Sequence, residues 1–476
     1  MLAECAQFGF RILGRCTNRD ACAPRGRGIG LRPVFAMVEQ QARQEQERQR
    51  ILPALSLMIG GEERAVGTAS VAERRGLHQR QLLPLHIGAT VGPLGSWGLS
   101  VIFHQLTVAF GVDRAALSLA IPAYMFAFAG AQLFSGSISD LTSRRTTALL
   151  GFFGYGLATA IAGLSWNLPS FLLSQVLQGL TNAFMTPILM ATIGDAVEPA
   201  QHGRAMGIFT SLNTSGMLLG PLLAGAVGPY SWRAYYFVSA GWSVAIGLWL
   251  AWWFSRYAVG TQRAASPDRF TALRQLSEAL RQHTRLVLLL AGVAFLTNAA
   301  GAGANYLFGE YLRERWQTPE QTIGILLSLY GLAGLLVGPL AGMLVDRLGI
   351  VQAGWLGETG MALALVLLAL APTPWLFGLG NFLLGTLTIA SWAAINTLAI
   401  TALPEYRGTL SAYVGVAKFL AQGVAPSWFT PLYEHLTPRA IFPGATLPAL
   451  LTLPLLFWLQ QTRRGAGQPV PQRPEA

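Results

Sequence analysis

Residues 136–145 read GSISDLTSRR: a glycine, an aspartate four residues on, then a pair of arginines. The stretch joins two apolar runs, at about 115–138 and 146–165, each long enough to cross a bilayer. A shortened version, GMLVDRLG, stands at 342–349, between apolar runs at about 321–345 and 351–371. Gly136 answers Gly342 and Asp140 answers Asp346, both 206 residues apart. Other correspondences keep nearly that spacing: Gly179 with Gly385, Pro199 with Pro404, and HGRAMG at 202–207 with YRGTLS at 406–411, at offsets of 203 to 206. The chain is written twice.

Working outward, six spans fall in the first copy, at about 84–107, 115–138, 146–165, 168–194, 204–228 and 232–254. Six more follow at about 286–309, 321–345, 351–371, 374–400, 408–434 and 439–460. This predicts an all-α membrane protein of 12 transmembrane helices, arranged as two pseudo-symmetric six-helix bundles over 82–254 and 286–461. A basic linker over 255–285 is expected on the cytoplasmic side, and residues 462–476 form a polar, Pro-rich tail expected to be disordered. Residues 1–81 are rich in Arg, Gln and Ala and lack long periodicity; they are expected to form a disordered cytoplasmic tail, with initiation at Met37 or Met58 as an alternative.

The composition supports this reading. The chain is 52% hydrophobic and 12% charged, about half the charge of a soluble domain. A formal net charge of +11 would suit nucleic acid, but the arginines concentrate in short loops and tails, so the lipid bilayer is the expected partner and nucleic acid is not. With the N-terminus inside, eleven arginines fall in inner loops, among them Arg144, Arg145, Arg204 and Arg347. Only five (Arg114, Arg233, Arg313, Arg315 and Arg439) fall outside. Both termini are therefore expected in the cytoplasm of a bacterial-type plasma (inner) membrane. Cys5, Cys16 and Cys22 all lie in the N-terminal tail at no metal-binding spacing, so neither disulfide, metal nor cofactor is expected.

GSISDLTSRR and GMLVDRLG resemble the loop signature of the major facilitator superfamily, G-x-L-A-D-R-x-G-R-R, over a region covering 84–460. Gly136, Asp140, Arg144 and Arg145 match in the first copy; Gly342, Asp346, Arg347 and Gly349 match in the second. The resemblance implies an inner-face charge cluster that helps set the conformational state. GMLLGPLLAG at 216–225 looks like the family's antiporter signature through Gly216, Gly220, Pro221 and Gly225, with Ala224 in place of one glycine. Glycines four apart let helices approach closely, and the eighth span carries its own stripe at Gly331, Gly334, Gly338 and Gly342. Ordinary small-residue packing explains the same pattern. Two departures weaken a drug–proton assignment: Gln175 replaces the family's fourth-span arginine, and GPLGSWGLSVIFHQL in the first span has no acid.

Of the 33 basic side chains, Lys418 is the only lysine, and it lies eleven residues past Arg407, about 16 Å deep. A charge at that depth costs on the order of 3 kcal/mol and normally faces a wet cavity or a partner. Ser411, Gly415, Lys418 and Gln422 share one helix face. A lysine, unlike an arginine, can shed its proton when desolvated. Substrate countercharge, a coupling role, or a structural pair with Glu358 all fit. Related organic-anion carriers of the superfamily have an eleventh-span lysine, though their eighth-span arginine is missing here. Further polar faces are Gln175, Gln178 and Asn182 in the fourth span, Asn298 and Asn305 in the seventh, and Trp392 and Asn396 in the tenth. Ser96, Ser100 and His104 mark the first, with His104 near the outer end.

The expected function is secondary active transport, by alternating access, of a small organic solute of anionic or amphipathic character, through export or exchange. A multidrug–proton antiporter is the alternative, with protons as a candidate coupling ion; a non-transporting sensor is a further one. The monomer is the expected functional unit. No nucleophile or His/Asp constellation in the spans points to an enzyme.

Overall fold

The computed structural model describes residues 77–198, 201–257, 259, 271–403 and 406–465. The N-terminal tail up to residue 76, residues 258 and 260–270 of the central linker and the last eleven residues lie outside the described residues.

Every predicted span falls on helix. The first is broken into α1 (Leu83–Gly88), α2 (Val91–Trp97) and α3 (Leu99–Phe110). The second comprises α4 (Arg114–Ser118) and α5 (Ala120–Leu141), the third α6 (Arg144–Leu164), and the fourth α7 (Leu168–Asn182) with α8 (Thr186–Ala196). Next come α9 (His202–Val227) and α10 (Trp232–Tyr257). The seventh span is α11 (Thr271–Gly301) and α12 (Asn305–Trp316). Then follow α13 (Glu320–Leu348), α14 (Ile350–Leu370), α15 (Pro374–Ala402), α16 (Arg407–Pro431) and α17 (Ile441–Gly465). Nine of the described helices are long and apolar enough to cross a membrane. Residues 271–285, placed in the linker by composition, are helical and continue α11 across a kink at His283.

Local chemistry sets the ends. Ser143 caps α6 by accepting from the Thr146 amide, and Asn167 with Ser170 forms a reciprocal capping box on α7. Gly111 closes α3 with φ 63°, a left-handed conformation that suits glycine. Along α6, Leu150, Leu157 and Leu164 are each more than 60% exposed. Seven residues are about two turns, so they form one apolar stripe, which only lipid would cover.

The sequence repeat reappears as packing. Gly179 lets α7 approach α5 so closely that a Cβ would collide with the Tyr124 carbonyl. Its counterpart Gly385 brings α15 onto α13, where a Cβ would lie 2.7 Å from the Tyr330 carbonyl. Tyr124 and Tyr330 are themselves 206 residues apart. Helices α1–α10 pack chiefly on one another, as do α11–α17, and three seams join the sets: α9 on α13, α5 on α16, and α3 on α12.

Candidate functional site

The breaks in the first and seventh spans face the same space. A cavity of about 510 Å³, open to solvent, is lined by Ser96, Trp97 and Ser100 from one break and by Ala302, Gly303 and Asn305 from the other. Tyr306, Gln422 and the apolar side chains of Leu99, Ile121 and Met125 complete a wall that is mostly apolar. At the second break the amides of Ala302 and Gly303 both donate to the Asn298 carbonyl at 3.1 Å. Interrupted helix at membrane depth is tolerated where it lines a cavity, and that is where both interruptions lie.

Lys418 sits on α16 one turn from Gln422, on the same face. Its Nζ lies 4.4 Å from the centroid of the Trp392 ring and 5.5 Å from that of Phe419. Among the described residues it makes no ion pair, so aromatic faces are its company. Glu358 is engaged elsewhere: its Oε1 accepts from the hydroxyls of Thr297 and Ser391, each at 2.5 Å. The Lys418–Glu358 pair allowed by the sequence is not formed. Asn396, one turn along α15 from Trp392, is partly exposed, as Trp392 is.

The amides of the fourth span go a different way. Gln175, Gln178 and Asn182 are buried on α7, and Asn182 donates to the Tyr124 hydroxyl at 2.7 Å. They pack within the first half and contribute nothing to the cavity lining. Asn298 bonds the Ala294 carbonyl of its own helix, while Asn305 lines the cavity with a buried Nδ2 that has no protein partner. The structure thus places Gln422 and Asn305 in the cavity lining, sets Lys418 against Trp392 one turn along α16 from Gln422, and keeps the fourth-span amides apart; Trp392 and Asn396 are not in the lining.

A second cluster, largely missed in the sequence, bridges the two halves at the end of the bundle carrying Arg114. Arg114 Nε donates to Glu310 Oε2 at 3.3 Å, and its guanidinium also pairs with Glu314. Tyr433 donates to Glu314 at 2.7 Å. Gln105 donates to Glu320 at 2.5 Å, and Arg313 donates to the other oxygen of that carboxylate at 2.6 Å. His104, grouped with the cavity by its helix face, belongs here instead: Nδ1 lies 3.7 Å from Glu310 Oε2, and the side chain is 42% exposed. Aromatic pairs close the next layer, Phe103 with Tyr306 and Trp97 with Tyr330. The sequence signal was available in Glu310 and Glu314, one turn apart just past the seventh apolar run.

At the other end, Arg144 donates to the Ala191 carbonyl at 2.5 Å and pairs with Asp195, both on α8 in its own half. Arg145 is partly exposed, and Asp346 and Arg347 are exposed. Side chains at Gly136, Asp140 and Gly342 lie outside the described residues, so the predicted contact of Asp140 with a helix N-terminus does too. No ion pair joins the halves at this end among the described residues. The glycines of the antiporter-like signature split between two partners. Gly216 and Gly220 lie against the Thr90 and Leu94 carbonyls, where a Cβ would stand at 2.5 and 2.8 Å. Gly225 lies against α13, where a Cβ would stand 2.9 Å from the Glu320 carbonyl, and Gly324 presses back on the Pro221 carbonyl. Gly331 seats on the Met217–Leu218 backbone, whereas Gly338, two turns nearer the Arg144 end, meets nothing within 4 Å.

Comparison with known proteins gives the fold its place. The family model of the Major Facilitator Superfamily matches residues 85–426 and, in a second match, 290–475. The chain belongs to the major facilitator superfamily. It is therefore a transporter built on two repeated halves, and an integral membrane protein. Among relatives in this superfamily, the multidrug resistance protein MdtG of Citrobacter koseri is 28% identical over 336 residues, covering 70% of this chain and 81% of MdtG. The uncharacterized MFS-type transporter YceJ of Bacillus subtilis is 24% identical over 337 residues, covering 71% of this chain and 85% of YceJ. In structure, a bacterial homolog of the human lysosomal transporter Spinster, solved inward-facing and unoccupied, superimposes with TM-score 0.64 at 15% identity. That match covers 86% of this chain and 100% of the other, and it speaks for the superfamily fold alone.

Proposed function

We propose that this chain is a secondary exporter of amphipathic organic molecules that prefers anionic and neutral cargo to cationic. The observation that carries the preference is Lys418, unpaired by any acid among the described residues and held over Trp392 beside an aromatic and amide-lined cavity. An anionic group meets Lys418, the apolar body meets the aromatic wall, and Gln422, Asn305 and Asn396 supply neutral hydrogen bonds. That MdtG is a multidrug resistance protein supports export and a broad cargo range.

Transport proceeds by alternating access of the halves 82–254 and 286–461, with the monomer as the functional unit. The cytoplasmic placement of both termini rests on the arginine asymmetry. Under that orientation the Arg114 end is the outer end. Its ion pairs close it, so the chain as described faces inward, and the cargo enters from the cytoplasm of a bacterial-type plasma membrane. The second reading, a multidrug–proton antiporter for cationic drugs, draws on the same relatives but lacks an acid in the cavity lining.

The test is uptake into inverted membrane vesicles of two aromatic probes, 1-naphthalenesulfonate and ethidium. Naphthalenesulfonate accumulation that depends on Lys418 supports the proposal. Accumulation of ethidium alone, unchanged by Lys418→Ala, moves the assignment to the cationic reading.

A further inference from the structure

Glu358 is the acid that the cavity does not use. It lies eight residues into α14 from Ile350, about 12 Å along the helix, with no exposed surface. Its two oxygens differ. Oε1 takes hydroxyl bonds from Thr297 on α11 and Ser391 on α15, both at 2.5 Å, while Oε2 is buried with no hydrogen-bond partner. A shallow crevice with room for about one water is lined by Ile350, Val351, Gly354 and Leu398 and reaches Ser391. It reaches one of the two donors from the Arg144 end of the bundle.

No charge offsets the carboxylate. Glu358 is the only titratable group on α14, and α15 has none. On α11 the nearest are His283 and Arg285, twelve or more residues from Thr297 and so about 18 Å along the helix. On α13 they are Glu320, Tyr330, Asp346 and Arg347, and on α17 Arg463 and Arg464 in the last turn. On α16, which packs on α11 and α15, they are Arg407, Tyr413 and Lys418. None of them bonds or pairs with Glu358 among the described residues. Two hydroxyl donors favour a carboxylate there; burial without a countercharge favours the acid. The balance depends on how α11, α14 and α15 are packed.

We infer that Glu358 is a proton-binding site of the transport cycle, set in the second half away from the solute cavity. A solvent proton adds to Oε2, forming the O–H bond and leaving a neutral carboxylic acid; its release restores the carboxylate. The link to Lys418 is α15. Ser391 turns to Glu358, and the next residue, Trp392, carries the ring beneath Lys418 Nζ. Gly357 holds α14 so close to α15 that a Cβ there would lie 2.8 Å from Ser391 Cβ, which makes this contact stiff. This inference rests on the secondary-transport reading for its role in the cycle, but not for the proton site itself.

Two measurements separate the site from the role. Infrared difference spectra of the ligand-free protein between acid and alkaline pH are expected to contain a carboxyl carbonyl band that Glu358→Gln removes. Ser391→Ala, which takes one donor from Oε1, is expected to displace the midpoint of that band by about one pH unit. In proteoliposomes, Glu358→Gln is expected to exchange 1-naphthalenesulfonate at equal pH within about twofold of wild type, and to lose at least tenfold of the accumulation driven by a pH gradient. A spectrum unchanged by Glu358→Gln overturns the proton site. A band that is lost while gradient-driven accumulation persists overturns the coupling role and leaves Glu358 a structural acid. If wild type moves no naphthalenesulfonate, the cargo proposal fails, and the infrared band alone decides whether Glu358 binds the proton.

Discussion

Lys418 Nζ stands 4.4 Å from the Trp392 centroid, one turn along α16 from the cavity residue Gln422, and that pairing is the central chemistry at the level of single residues. A cation over an indole face gains about 0.5–2 kcal/mol, less than the roughly 3 kcal/mol that a charge costs at membrane depth. The remainder is recovered when an anionic solute arrives or when water fills the cavity. Lys418→Ala is therefore expected to weaken binding of 1-naphthalenesulfonate about tenfold, the value of one hydrogen bond to a charged group, in isothermal titration calorimetry. An affinity within twofold of wild type contradicts a direct contact. The lysine stood out in the sequence because every other basic residue is arginine. Its aromatic partner was visible only as one of several polar or amphipathic positions on the tenth span. The absence of an acid partner was not legible at all, since hydroxyls in two other helices engage Glu358.

At the level of elements, the spans were legible because an apolar run about 20 residues long has few alternatives to a membrane helix. Their interruptions were not. The first and seventh spans read as continuous, yet the first breaks at Ala89–Thr90 and again at Gly98, and the seventh breaks over 302–304; the cavity lies at the Gly98 and 302–304 breaks. Glycine is common in membrane helices, so its presence does not mark a break. The glycine seams give a contrast that can be measured. Gly220→Ala would place a Cβ 2.8 Å from the Leu94 carbonyl and is expected to cost about 1–3 kcal/mol, seen as a lower melting temperature and reduced transport. Gly338→Ala meets open space and is expected to stay within about 0.5 kcal/mol of wild type in the same melting assay. Equal effects at both positions would remove the seam from the account.

For the whole molecule, the repeat at an offset of 206 residues carried the architecture, and paired contacts such as Gly179 on Tyr124 and Gly385 on Tyr330 express it. The state of the molecule was not in the sequence. Arg114 and Glu310 are 196 residues apart in the chain and meet only because the halves close on each other. Glu310 is buried, so losing Arg114 leaves it only the His104 ring at 3.7 Å, and opening this end becomes the way to hydrate it. Arg114→Ala is therefore expected to shift the population toward the form open at the Arg114 end. Spin labels at Trp166 and Leu370 would report longer distances, and labels at Ser255 and Leu348 shorter ones, in pulsed electron resonance. Unchanged distributions at both pairs would show that the cluster does not hold the gate.

The most direct test of the central claim, that Lys418 is the anion site of an exporter, is thermal stabilisation of the purified protein by added ligands. A ligand that binds one conformation raises apparent stability by mass action. Wild type and Lys418→Ala would be melted with amphipathic carboxylates, with 1-naphthalenesulfonate and with ethidium. The account predicts that the anions stabilise wild type, that Lys418→Ala loses this effect, and that ethidium does little to either. If ethidium stabilises both proteins equally while no anion acts on wild type, the lysine is structural and the claim is wrong.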